Sequence, residues 1–277
     1  MLWSFRDRTL TFGPRALVMG IVNVTPDSFS DGGRFATTDA AVEHALRLAQ
    51  QGADFLDVGG ESSRPGATPV SVDEELQRVI PVVRRLVAQT RVSISVDTTK
   101  AEVARQALEA GAAIVNDISA GQGDPAMIEV VKEFGAGFVL MHMQGTPQSM
   151  QDNPTYGNVV AEVRDFLAAR VQACLAAGIP PDRLAIDPGI GFGKTHEHNV
   201  TLLRELDQLS ALGRPVVLGV SRKGFIGTIT GRPRGERTAG SVAVACYCAA
   251  RKSAHVFRVH DVAETVDAVK MIAALDG

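Results

Sequence analysis

The chain is poor in residues that mark specialised surfaces. Aromatics make up 5% of its 277 residues, with one Trp and two Tyr, which argues against a stacking platform for single-stranded nucleic acid. Charge of one sign is lacking too. Lys plus Arg number 28 against 31 Asp plus Glu, a formal net charge of −3, and no basic run exceeds Arg84-Arg85. Neither nucleic acid nor an anionic membrane is an expected partner. Apolar runs such as Val242 to Ala250 fall far short of a membrane span. The N-terminus, Met1 to Arg8, carries charges where a secretory leader needs its apolar stretch. The three cysteines, Cys174, Cys246 and Cys248, cannot all pair within one chain, and Cys246-x-Cys248 has no partner cluster for a zinc site. Reduced thiols packed as small hydrophobes are expected, and with them a reducing, cytoplasmic location.

What is present is an ordinary globular composition, 45% hydrophobic and 21% charged. The length suits one α/β barrel, which typically needs about 250 residues. Eight short apolar runs read as strands: Leu17–Asn23, Asp54–Val58, Val92–Val96, Ala113–Asp117, Gly137–His142, Leu184–Asp187, Pro215–Val220 and His255–Val259. A helical pattern follows each. Ser71-x-x-Glu74, Thr99-x-x-Glu102 and Asp261-x-x-Glu264 read as capping boxes, and Asp124-Pro125 as an N-cap followed by proline. Gly52, Gly111 and Gly178 sit where helices should stop, and Pro81 is a candidate kink. No linker or composition shift divides the chain. Alternating β and α units imply a parallel sheet, and eight of them favour a single-domain (β/α)8 TIM barrel over residues 1–277.

In such a barrel the site forms where strands end, and each run here ends on polar residues. They are Asn23, the Gly59-Gly60-Glu61 loop, Asp97, Asn116-Asp117, His142, Asp187, Ser221-Arg222-Lys223 and Arg258-Val259-His260. Asp117 and Asp261 read as turn formers or caps. Asp97, followed by Thr98-Thr99, and Asp187, held extended before Pro188, are freer to act. His142 reads as structural, and the His196-x-His198 pair and His44 receive no metal role. Lys223, Arg258 and His260, with Arg64, form a cationic set suited to phosphate groups. Asn23 offers a hard oxygen for a Mg²⁺ that keeps most of its waters. Asp97, Asn116 and Asp187 suit a flat heterocycle rich in N–H donors. Two long loops, carrying Phe29 and Pro65 in polar tips, read as lids. Residues alone thus give a barrel enzyme for an anionic, heterocyclic substrate, without naming the reaction.

At these residues the chain resembles the dihydropteroate synthase family. The matching segments are Met19 to Gly33, Asp57 to Ala67, Ser95 to Thr98, Asn116 to Ile118, Leu140 to Gly145, Asp187 to Lys194, Ser221 to Lys223 and Arg258 to Val262. The resemblance implies a transferase that condenses (7,8-dihydropterin-6-yl)methyl diphosphate with p-aminobenzoate in folate biosynthesis, a target of sulfonamides. It implies that Asp97, Asn116, Asp187 and Lys223 bind the pterin and that Asn23 binds Mg²⁺. Arg258, His260, Ser63 and Arg64 would take the diphosphate. Phe29, Pro65, Phe192 and Lys223 would shape the p-aminobenzoate pocket. Asp97, Lys223, Arg258 and His260 are the expected catalytic set, and a homodimer through the last helices is implied.

Two positions depart from the family pattern: Ser63 replaces a usual threonine, and Gly224 stands where serine is frequent. Three other readings remain open at this point. A pterin-dependent methyltransferase domain would not need the diphosphate set. A Schiff-base aldolase would use Lys223. A non-catalytic pterin-binding paralogue would have lost rim residues.

Overall fold

The computed structural model of the protein describes residues 1–25 and 33–276, the side chains of 33–37 excepted. Two short antiparallel strands, β1 (Leu2–Phe5) and β2 (Arg8–Thr11), precede eight parallel ones. These are β3 (Leu17–Asn23), β4 (Phe55–Gly59), β5 (Ser93–Asp97), β6 (Ile114–Asp117), β7 (Gly137–Met141), β8 (Leu184–Asp187), β9 (Val217–Leu218) and β10 (Val256–Val259). Their spatial order is β8-β7-β6-β5-β4-β3-β10-β9, and a parallel bridge between Ile186 and Val216 joins the two ends. The expected barrel is therefore present, its strands within a few residues of the sequence reading.

Helices α1 (Gly33–Gln50), α2 (Val72–Gln89), α3 (Ala101–Glu109), α4 (Met127–Phe134), α5 (Val159–Ala176) and α6 (His196–Arg204) follow β3 to β8 in turn. A short α7 (Gly224–Thr230) and then α8 (Thr238–Ala250) follow β9, and α9 (Val262–Leu275) follows β10.

The start signals hold in part. Ser71 caps α2 by accepting from the Glu74 amide, but the Glu74 carboxylate turns to Arg78 instead of back to the cap. The Thr99 box fails. Lys100 holds the N-cap position of α3 without a side-chain bond, and Asp124 reaches across to accept from the Ala101 amide. Asp124 thus serves the neighbouring helix as well as its own turn, where it accepts from Ala126. Asp261 also fails as a side-chain cap, because Arg222 takes its carboxylate. Pro81 lies within α2, which runs on to Gln89. Gly52, Gly111 and Gly178 take positive φ at helix ends as expected. All three cysteines are free, Cys174 and Cys248 buried.

The period-two alternation of the strands sorts the side chains into two environments. Outward positions such as Val18, Val22, Leu56, Val58, Ile94, Val96, Leu140 and Phe257 join the shell packed against the helices. Inward positions change character along each strand. Low in the barrel they are apolar: Leu17, Met19, Phe55, Ile114, Val139, Ala185, Val217 and Val256. Two to four residues further on, the same inward parity reaches Asn23, Asp57, Asp97, Asn116, Asp187 and Arg258. The apolar layer is closed from below by the β1–β2 hairpin, which the sequence reading did not foresee. Trp3 and Phe5 are buried within it, and both rings stack near Phe55, with Trp3 donating its indole N–H to the Arg183 carbonyl at 3.2 Å. No helix among the described residues is long and apolar enough to cross a membrane.

Trp3 is fully buried in the apolar layer at the barrel floor, against Phe5 and Phe55, so its truncation leaves a cavity. Trp3→Ala is expected to lower unfolding free energy by about 3–5 kcal/mol, measured by urea denaturation. A loss under about 1 kcal/mol would mean the hairpin is an appendage, not part of the core.

Candidate active site

The inward polar residues form one bonded network. Arg258 on β10 donates from Nε to Asp57 Oδ2 at 2.6 Å and from Nη2 to Asp97 Oδ2 at 2.6 Å. Asn116 donates to the same Asp57 oxygen at 3.1 Å. Asp57 is fully buried and its Oδ1 has no partner. The sequence reading quoted Asp57 only within a motif. An aspartate within an apolar run is the only trace of it in the sequence, and its inward position emerges with the barrel.

Asp187 accepts from the Gly189 amide at 2.7 Å through Oδ1. Asp97, Asn116 and Asp187 thus each use one polar atom in the frame, and Arg258 two. Among the described residues Asp97 Oδ1, Asn116 Oδ1 and Asp187 Oδ2 are left for a ligand. Burial raises the proton affinity of Asp97 against the pull of Arg258, with Asp57 and Glu75 acting in the same direction as burial. Burial also raises Asp187, opposed by the Gly189 amide and by Lys223, Arg258 and Lys194. Asp57 and Asp97 keep Arg258 charged in spite of its burial.

Lys223 precedes α7 and lies over the Phe192 ring, its ammonium 4.2 Å from the ring centroid. The preceding turn is built to place it. Arg222 takes a left-handed φ of 56°, its amide donates to Ser241 Oγ, and its guanidinium grips Asp261 with two bonds. A positive φ at a long side chain is costly and is held here by those partners.

His260 corrects an expectation. It was counted among the cations, but burial, with Arg258 and Arg222 nearby, pulls it to about 3, so it is neutral at pH 7. Ser221 Oγ accepts from the His260 amide at 3.2 Å and lies 3.0 Å from its Nδ1. The Ser221 hydroxyl is assigned as the donor to Nδ1. This tautomer assignment leaves Nε2–H as a neutral donor towards the rim.

The remaining expectations divide. Asn23 ends β3 half-buried, in register with Gly59. Asp117 is the expected turn former, accepting from Ser119 and Gly121. His142 is structural, its Nδ1 on Lys194, and His198 closes a capping box with Thr195. Ser63 is half-buried, whereas Arg64 and Pro65 are exposed and no bond among the described residues ties them to the network. Their loop is braced elsewhere. Glu61 accepts from the Val70 amide and pairs with Lys100, which also pairs with buried Glu75. Gly66 and Ala67 bond to Pro147 and Gln148 of the segment after β7. A cavity of about 400 Å³ under these two segments meets the site only at Asp97 and Ser63. Phe29 lies outside the described residues.

A model of the pterin binding enzyme family matches residues 19–260, a span that runs from the first barrel strand to the last rim histidine. The chain belongs to that family. It is 48% identical over 257 residues to the dihydropteroate synthase of Escherichia coli K12, covering 93% of this chain and 90% of that protein. Among solved structures it is similar to dihydropteroate synthase from Xanthomonas albilineans with 4-aminobenzoic acid, with TM-score 0.91 and 54% identity over 98% of this chain and 96% of that one. The same enzyme in complex with 7,8-dihydropteroate gives TM-score 0.90 and 49% identity over 100% of this chain and 99% of that one.

Two site lysines are expected to titrate early. Burial lowers Lys223 to about 8, with Asp187 opposing, and lowers Lys194 to about 7. Because the folded values lie below that of a free lysine, the cost of burying each charge is fully present only below its folded value, so at pH 7 it is nearly complete for Lys223 and already partly released for Lys194. It is released as pH rises from the folded value towards the free one. NMR of ¹³C-labelled lysine side chains in ligand-free protein should show two resonances titrating below pH 9, each lost in Lys223→Met or Lys194→Met. All lysines titrating together above pH 10 would contradict the described burial.

Proposed function

We propose that the protein joins the methylene carbon of (7,8-dihydropterin-6-yl)methyl diphosphate to the amine of p-aminobenzoate, giving 7,8-dihydropteroate and pyrophosphate. The observation that carries this reading is the rim itself, where hydrogen-bond acceptors for a heterocycle stand directly beside donors for a diphosphate. Asp187 Oδ2, Asp97 Oδ1 and Asn116 Oδ1 face the N–H groups of the pterin, with Lys223 beside them. Arg258 has five N–H groups, and two are held by Asp57 and Asp97. The others, with His260 Nε2–H, Ser63 and Arg64, receive the diphosphate.

The C–O bond to diphosphate breaks as these fixed donors take up the departing charge. The reduced pterin delocalises the positive charge left on the methylene, and the Asp97 carboxylate stabilises it from the side. The neutral aryl amine then attacks, forming the C–N bond and losing one proton to solvent or to the released pyrophosphate. No strong general base is needed. Pro65, Phe192 and Lys223 wall the p-aminobenzoate. Gly224 opens α7 with free space where a side chain would stand. The serine common in the family would fit there, and this chain forgoes its hydroxyl.

Asn23 ends β3 with a hard oxygen donor, and no His/Cys/Asp/Glu cluster able to hold a metal occurs among the described residues. That donor set fits a Mg²⁺ held mainly by water and substrate phosphate. When bound, the ion supplies charge to the departing diphosphate. Exposed Tyr247, Met271 and Leu275 on α8 and α9 support a homodimer through the last helices, and the free cysteines support a cytoplasmic location.

The test is pyrophosphate release with Mg²⁺. Release should require the pterin diphosphate and p-aminobenzoate together, with dihydropteroate formed in equal amount. Release from the pterin diphosphate alone at the same rate would make the protein a hydrolase. Binding without release would make it a non-catalytic paralogue.

A further inference from the structure

Lys194 is a cationic side chain only 2% exposed; Asp187 acts on it electrostatically, but among the described residues no carboxylate forms an ion pair with it. Its Nζ lies 2.8 Å from His142 Nδ1, 3.0 Å from the Gly189 carbonyl and 3.0 Å from the Phe192 carbonyl. Three acceptors match the three protons of an ammonium. A buried cation without a carboxylate is costly, and methionine would fill the same space without that cost. The hydrogen bonds therefore have a use that packing alone does not explain.

Two of them fold the segment after β8 onto itself, and the third ties it to the end of β7. The two backbones are pressed together. A side-chain carbon at Gly189, φ 65°, would stand 1.8 Å from the His142 carbonyl, and one at Gly193, φ 60°, 2.3 Å from that of Gln144. Tyr156 closes the outside by donating to the Gly193 carbonyl at 2.7 Å. Phe192, whose own carbonyl Lys194 holds, is the side chain this turn sets against Lys223.

We infer that Lys194 is a positioning residue for the p-aminobenzoate step, acting through Phe192. The inference rests on the reading of Phe192 as a wall of the p-aminobenzoate pocket. The backbone of Asp187 is placed independently of that lysine, which reaches the carboxylate only through charge and through the Gly189 turn. Asp187 is in ladder register with Met141, and its carbonyl accepts from the His142 amide at 3.0 Å. Loss of Lys194 should therefore separate the two substrates.

A double-mutant cycle tests this. Lys194→Met should raise KM for p-aminobenzoate by about tenfold or more, while affinity for a pterin ligand, read by calorimetry, changes by less than about threefold. Phe192→Ala should also raise that KM, and adding Lys194→Met to it should change KM by less than about twofold. Effects that multiply, or pterin affinity falling in step, would overturn the inference. No effect of Phe192→Ala would instead remove the pocket reading, and this inference with it. If Lys194→Met does not fold, Tyr156→Phe provides the second arm. It should raise the same KM by a smaller factor, again only when Phe192 is present, and a rise independent of Phe192 would count against the proposal.

Discussion

Arg258 stands inside the barrel between two carboxylates, and the rest of the rim is arranged around that contact. Asp57 holds its Nε and Asp97 its Nη2, while Asn116 is fixed by the same Asp57 oxygen. None of these groups is tolerable alone. An unpaired buried charge costs several kcal/mol, and breaking a buried pair by removing one partner typically costs about 3–5 kcal/mol. The network therefore sets its own geometry, since each member is held because the others would otherwise be orphaned. It also explains how one side of the site presents acceptors and the other donors within one network: Arg258 neutralises the carboxylates without using up all of its N–H groups.

Such a network needs a rigid and dry support. The apolar layer below it, with Trp3, Phe5 and Phe55 at its base, supplies both. Strand alternation then lifts the next inward position of β4, β5, β6, β8 and β10 to the same level. Polar groups on strand ends are held more closely than groups on loops, and here Asp97, Asn116, Asp187 and Arg258 all lie on strands. The residues assigned to p-aminobenzoate sit on connecting segments instead, where Lys194, Tyr156 and the Arg222–Asp261 pair do the holding.

Much of this was legible from the chain. Eight β-branched runs, each ending on a polar residue, are a barrel signature because inward parity and strand ends coincide at the rim. The unread parts share a cause: their meaning depends on contacts between residues far apart in sequence. Leu2 to Thr11 is too short for a confident period, and only the open barrel floor turns it into a hairpin. Asp57 resembles an ordinary strand residue until Arg258, 201 positions later, is seen against it. Lys194 follows a glycine-rich stretch, and nothing in the sequence marks it as buried. His260 reads as a cation until the burial and the neighbouring arginines that discharge it are known. Thr99 and Asp261 match cap patterns, but Asp124 and Arg222 supply or remove the partners.

Asp57 holds Arg258 and Asn116, and through them both halves of the rim. Asp57→Asn keeps the shape and removes the charge that anchors Arg258 and Asn116. Calorimetric titration of the folded variant with pyrophosphate plus Mg²⁺, and separately with a pterin ligand, tests it most directly. Both affinities should fall by about tenfold or more, as expected for charge-assisted contacts worth about 1.5–3 kcal/mol each. Affinities within about twofold of the parent for both ligands would contradict the account and leave Asp57 a bystander.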